Sequence, residues 1–139
     1  MNFTEQQYLV IKALADGVCP ATDAIPPASA LPVADMFANI AGSWAPDVFQ
    51  ATANALDVIN DIALSIFGQP IQHLDQPGIA TVTAIVAENT DLKPFWEPFR
   101  ILIALNYYAL SPVYSAIGLP GPTIDAGGLT TEGYPVQGN

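Results

Sequence analysis

Apolar positions fall into five runs separated by proline- and glycine-bearing breaks, and most of the runs repeat at three- and four-residue spacing, the period of a helix. Thr4-Glu5-Gln6-Gln7 has the Thr-x-x-Gln form of a capping box, with Phe3 placed before it as a hydrophobic staple. A first helix follows, carrying Tyr8, Leu9, Ile11 and Leu14 and ending at Gly17. The adjacent prolines Pro26 and Pro27 exclude a helix from the stretch beginning at Cys19. Leu31 to Ile40 reads as a short helix with Pro32 suited to its first turn and Gly42 as its stop.

The third run is the most regular. Pro46 marks its start, and Gly68 followed by Pro70 marks its end. Gln50, Asn54, Asp57 and Asp61 form a polar stripe. Phe49, Thr52, Leu56, Ile59, Ala63 and Ile66 form an apolar one, widened by Val48, Ala55, Val58 and Ile62. An apolar arc covering more than half the circumference predicts a helix central to its bundle or in contact with a second protein. Leu74 to Gly78 reads as a turn. Ile79 to Asn89 is β-branched enough for a strand, but Ala80, Ala84 and Ala87 favour a helix.

A fifth helix is expected from about Leu92 to Leu110, capped by Thr90 or Asp91, with Pro94 and Pro98 moving its effective start toward Glu97. Beyond Arg100 it is apolar nearly all round, the pattern of a buried helix. Ser111-Pro112 breaks it. Residues 118–139 hold six glycines and three prolines, too many for regular structure or a separate core. The expected fold is therefore all-α: a small irregular bundle of four to five helices over residues 1–117, with a Gly/Pro-rich extended arm over 118–139.

Composition changes the picture in two ways. Apolar residues make up 51% of the chain and charged ones 12%, which excludes intrinsic disorder for most of it and leaves more apolar surface than a solitary small domain needs. Lys12, Lys93 and Arg100 face thirteen acidic residues, a net charge of −10. With so few cations to neutralise phosphate, nucleic acid is excluded as a partner, and an anionic membrane surface repels the chain. Prolines and glycines interrupt the longest uncharged stretch, Ile101 to Ile124, so no membrane span is expected. The opening residues carry neither a basic leader nor an apolar core, so a cytoplasmic location is expected, or a periplasmic one for a mature form or a chain exported with a partner.

Reactive groups are scarce. Cys19 is the one cysteine and His73 the one histidine, so neither an internal disulfide nor a Cys/His metal set is available. Nothing in the spacing pairs His73 with Ser65, Ser111 or Cys19 as base and nucleophile. Asp57 and Asp61 stand at i and i+4, but the polar face of a helix explains them fully. No catalytic, cofactor-binding or metal-binding residue is assigned. Phe95, Trp96, Phe99, Tyr107, Tyr108 and Tyr114 read as core or interface residues.

The two ends of the chain resemble a known family. Phe3-Thr4-Glu5-Gln6-Gln7, followed by Leu14-Ala15-Asp16-Gly17-Val18-Cys19-Pro20-Ala21-Thr22-Asp23, is similar to the opening of the gluconate 2-dehydrogenase subunit 3 family. Tyr107-Tyr108 and Gly118-Leu119-Pro120-Gly121-Pro122 are similar to that family's late aromatic run and its G-x-P-G segment. The resemblance implies a non-catalytic small subunit of an FAD-dependent dehydrogenase. The large subunit, of the glucose-methanol-choline type, carries the FAD and oxidises a sugar, alcohol or related hydroxyl. A cytochrome c subunit or another electron acceptor sometimes completes the complex. Members of that family often carry a twin-arginine leader, and the opening residues here lead to the expectation of none.

On that reading the interface uses Pro20, Ile25, Phe95, Trp96, Tyr107, Tyr108 and Tyr114, with Leu119, Pro120, Ile124, Leu129 and Tyr134 as contacts along the arm. The alternative is a stand-alone helical bundle whose aromatic residues line a pocket for a small hydrophobic ligand.

Overall fold

The computed structural model describes residues 1–21 and 25–110. Five helices run in chain order: α1 Glu5–Val18, α2 Val33–Ala41, α3 Pro46–Phe67, α4 Gln76–Glu88 and α5 Lys93–Tyr108. No strand occurs among the described residues, so the fold is all-α. Met1–Tyr107 forms one compact unit, and beyond it the structure describes only Tyr108 to Leu110. The expected boundary between residues 117 and 118, and the arm beyond it, lie outside the described residues.

Local chemistry sets the helix ends. Thr4 Oγ1 accepts the Gln7 amide at 3.1 Å while Gln7 Oε1 accepts the Thr4 amide at 3.0 Å, so the capping box closes from both sides. Pro46 occupies the first turn of α3, and Gly68 ends it with φ 73°, a left-handed conformation that an L side chain adopts at a cost. Asp75 Oδ1 accepts the Gly78 amide at 2.9 Å and starts α4 at Gln76, inside the stretch expected to be a turn. The β-branched Ile79, Val82 and Val86 of α4 are buried against the bundle, and Thr81 and Thr83 satisfy their hydroxyls on carbonyls four residues back, at 3.0 and 2.8 Å.

α5 differs from its expected form at its start. A 3-10 turn over Thr90–Leu92, capped by the Asn89 side chain, feeds directly into a helix that begins at Lys93. Pro94 falls in the first turn, where its missing N–H costs nothing. Pro98 removes one bond, to the carbonyl of Pro94, on the exposed side of the helix.

α1 is the hub. It packs against α2, α3, α4 and the 3-10 turn Ile71–His73, burying Val10, Ile11, Ala13, Leu14 and Ala15. Gly17 gives the closest approach, because a Cβ there would land on the side chain of buried Thr83 in α4. Polar links flank this core. Gln6 and Gln72 exchange amide hydrogen bonds at 3.0 Å, and Asn60 Oδ1 accepts the Ile71 amide at 3.1 Å.

An aromatic cluster joins the remaining helices. Phe37 of α2 meets Phe99 of α5 edge-on at 5.0 Å between centroids, and Phe95 stacks on Phe99 at 5.0 Å. Phe3 stacks on Phe49 of α3 at 4.5 Å and lies 6.5 Å from Phe37.

Candidate functional site

Two helix faces leave large apolar side chains in solvent. On α5, Pro94, Pro98, Ile101 and Leu105 follow one another at helical spacing, all exposed. Ile101 is 45% and Leu105 61% exposed, and Tyr108 at the helix end is also exposed. This corrects the expectation of a buried helix beyond Arg100. One side of α5 is covered, through Phe95, Trp96, Phe99, Ile103 and Tyr107, while the other faces out with no charge among its members. Along its edge Arg100 pairs with Glu97 at 3.0 Å, an exposed pair of small energetic weight.

The second face belongs to α3. Phe49, Thr52, Ala53, Ala55, Leu56, Ile59 and Ala63 are buried. Val48, Val58 and Ile66, counted in the same apolar arc, are exposed, with Ile62 half-buried between them. The arc was too wide for the bundle to cover, and its outer margin stays in water beside the polar stripe. Leu64 and Phe67 add to the exposed apolar surface in the helix's last turn.

The interface candidates divide sharply. Phe95, Trp96 and Tyr107 are buried in the fold's own interior, and the Tyr107 hydroxyl donates to the Pro26 carbonyl at 2.6 Å. They hold α5 to the bundle and offer no surface here. Pro20 and Tyr108 are exposed and Ile25 is half-buried. Tyr114, Leu119, Pro120, Ile124, Leu129 and Tyr134 lie outside the described residues. Ile101 and Leu105, expected inside, are the exposed ones. The signal that could have found them is the pair Pro94 and Pro98, four apart: prolines in a helix favour the side facing water, and Ile101 and Leu105 share that side.

The reactive groups do not converge. Cys19 is buried, and burial, with the nearby charge of Asp16, pushes its thiol up to about 11, which suppresses the nucleophilic thiolate. Asp57 and Asp61 are exposed, and Asp57 accepts the Gln7 side-chain amide at 3.2 Å. His73 is exposed beside an open cleft of about 370 Å³ whose lining includes Lys12, Asp16, Ser29 and Gln72. Two of these groups are engaged in structure: Asp16 Oδ1 accepts the Ser29 amide at 2.7 Å, and Gln72 is bonded to Gln6. Interaction with the Asp35 carboxylate of α2, with a contribution from burial, raises the Tyr8 phenol above its ordinary range. Among the described residues no three His, Cys, Asp or Glu side chains group as a metal site, and no helix is long and apolar enough to cross a membrane.

Comparison with protein-family models, with curated proteins and with solved structures gives no match to this chain.

Proposed function

We propose that this chain is a non-catalytic, partner-binding subunit, and that its partner is the FAD-bearing large subunit of a dehydrogenase acting on a sugar, alcohol or related hydroxyl. The observation that carries the first half is the outward face of α5, where Ile101 and Leu105 stand in solvent in line with Pro94 and Pro98, bordered on one edge by the Glu97–Arg100 pair. Contiguous exposed apolar residues of this kind mark interaction surfaces, and burying two half-exposed aliphatic side chains in a complex contributes on the order of 1 kcal/mol each. The scattered reactive groups support a structural role. The flavoprotein as partner rests on the resemblance of the chain's two ends to the gluconate 2-dehydrogenase small subunits, and the arm over 118–139 would supply the second contact.

The test is co-expression with the products of the genes that neighbour this one, followed by a search among them for an FAD-bearing partner. The expected result is a co-purifying yellow complex, with flavin content in the large subunit falling when this chain is omitted. A well-behaved monomer that leaves the flavin loading of those products unchanged would overturn the reading.

A further inference from the structure

The outward strip of α3 differs from that of α5 in one chemical respect. Asp47 precedes Val48, Asp57 precedes Val58 and Asp61 precedes Ile62, so a carboxylate stands immediately before each of these apolar residues, on the solvent side. All three aspartates are exposed, and α3 contains neither Lys nor Arg. The single ion pair among the described residues is Glu97–Arg100 on α5, and the hydrogen bond that Asp57 receives comes from a neutral amide.

We infer that this strip docks against a protein surface whose apolar groove is bordered by lysine or arginine. The inference rests on the subunit reading above and names the chemistry of the partner's contact surface. Charge decides among occupants. A second copy of a chain carrying net charge −10 would bring aspartate to aspartate if the strips met, and an anionic bilayer repels the same stripe. A basic rim attracts it: Asp57 and Asp61, one turn apart, steer and register the groove while Val58, Ile62 and Ile66 fill it.

The experiment uses the full chain with the FAD-bearing partner that the co-expression test above identifies. Benzoylphenylalanine placed at position 58 is irradiated in the assembled complex and the crosslinked peptide is sequenced. In parallel, association rates of the wild type and of the Asp57→Asn/Asp61→Asn double variant are followed from low to high salt. Both aspartates are exposed, so the variant's unchanged melting temperature verifies its fold. The expected results are a crosslink to a partner segment flanked by Lys or Arg, and association about tenfold slower at low salt that converges on wild type at high salt. A complex that forms with no crosslink from position 58 and an unaltered salt dependence would overturn the inference while the subunit reading stands. Failure of any complex to form removes both.

Discussion

α1 is covered on one side by α2, α3, α4 and the turn after α3, and Glu5 and the half-buried Gln6, Lys12 and Asp16 occupy its margins. α5 also presents an unbroken row of buried residues to the bundle, yet what it turns to solvent is Pro94, Pro98, Ile101 and Leu105. α1 is joined by close backbone approach and by side-chain bonds such as Gln6–Gln72 and Gln7–Asp57. α5 is joined by aromatic rings and the Tyr107–Pro26 hydrogen bond. One helix has spent its apolar residues on folding. The other retains a set that folding does not use, and such a set is available for association.

The sharpest way to break this comparison is to remove the ring that joins α5 to the rest. Phe99 is fully buried and meets Phe37, Phe95 and Trp96. Phe99→Ala should cost about 3–5 kcal/mol in chemical denaturation, the usual range for emptying an aromatic core site. Hydrogen exchange should show α5 losing protection before α1 does. Equal loss in both helices would show that α5 is as deeply integrated as α1.

Next in size is the α1–α4 contact. An alanine at Gly17 gains helix propensity of up to about 1 kcal/mol, but its methyl would collide with the Thr83 side chain, which is bonded to the Ile79 carbonyl. Overpacking of this kind costs about 1–3 kcal/mol, so Gly17→Ala should be net destabilising in a thermal melt. A stabilised Gly17→Ala variant would mean that α1 and α4 separate easily.

These two contacts also divide what the sequence makes legible from what it does not. The helix ends were readable because they depend on nearest neighbours: Thr4 with Gln7, Pro46 in a first turn, Gly68 at a terminus. α4 was recognisable as a helix, but its start at Asp75 was hidden because Asp-Gln-Pro-Gly also suits a turn, and only the bond to Gly78 distinguishes the two. Which apolar side of a helix meets the bundle is a long-range matter. An arc wider than half a circle, as on α3, states that something is left over without stating which edge. On α5 the same ambiguity exchanged the roles of Trp96 and Tyr107, which are buried, with those of Ile101 and Leu105, which are not.

A smaller effect is expected at the start of α1. Thr4→Ala deletes the acceptor of the Gln7 amide and half of a reciprocal cap, which costs about 1 kcal/mol. Thr4→Ser retains the oxygen and should restore most of that loss in urea titration. If Ala and Ser behave alike, α1 owes its position to packing alone.

The smallest effect on folding is expected where the comparison matters most. Ile101→Gln with Leu105→Gln changes two exposed positions on a helix already held by its opposite side, and glutamine is as good a helix former as leucine. The melting midpoint of the isolated chain should move by no more than the few tenths of a kcal/mol typical of surface changes, and its tendency to aggregate should fall as the apolar patch shrinks. The same pair of changes in α1, at Ile11 and Leu14, would place polar amides at fully buried positions and unfold the protein. A large destabilisation from the α5 pair would mean that these side chains are engaged within the chain, and α5 would then resemble α1. Unaltered folding together with lost capture of the flavoprotein would show that the outer face of α5 contributes to association and little to folding.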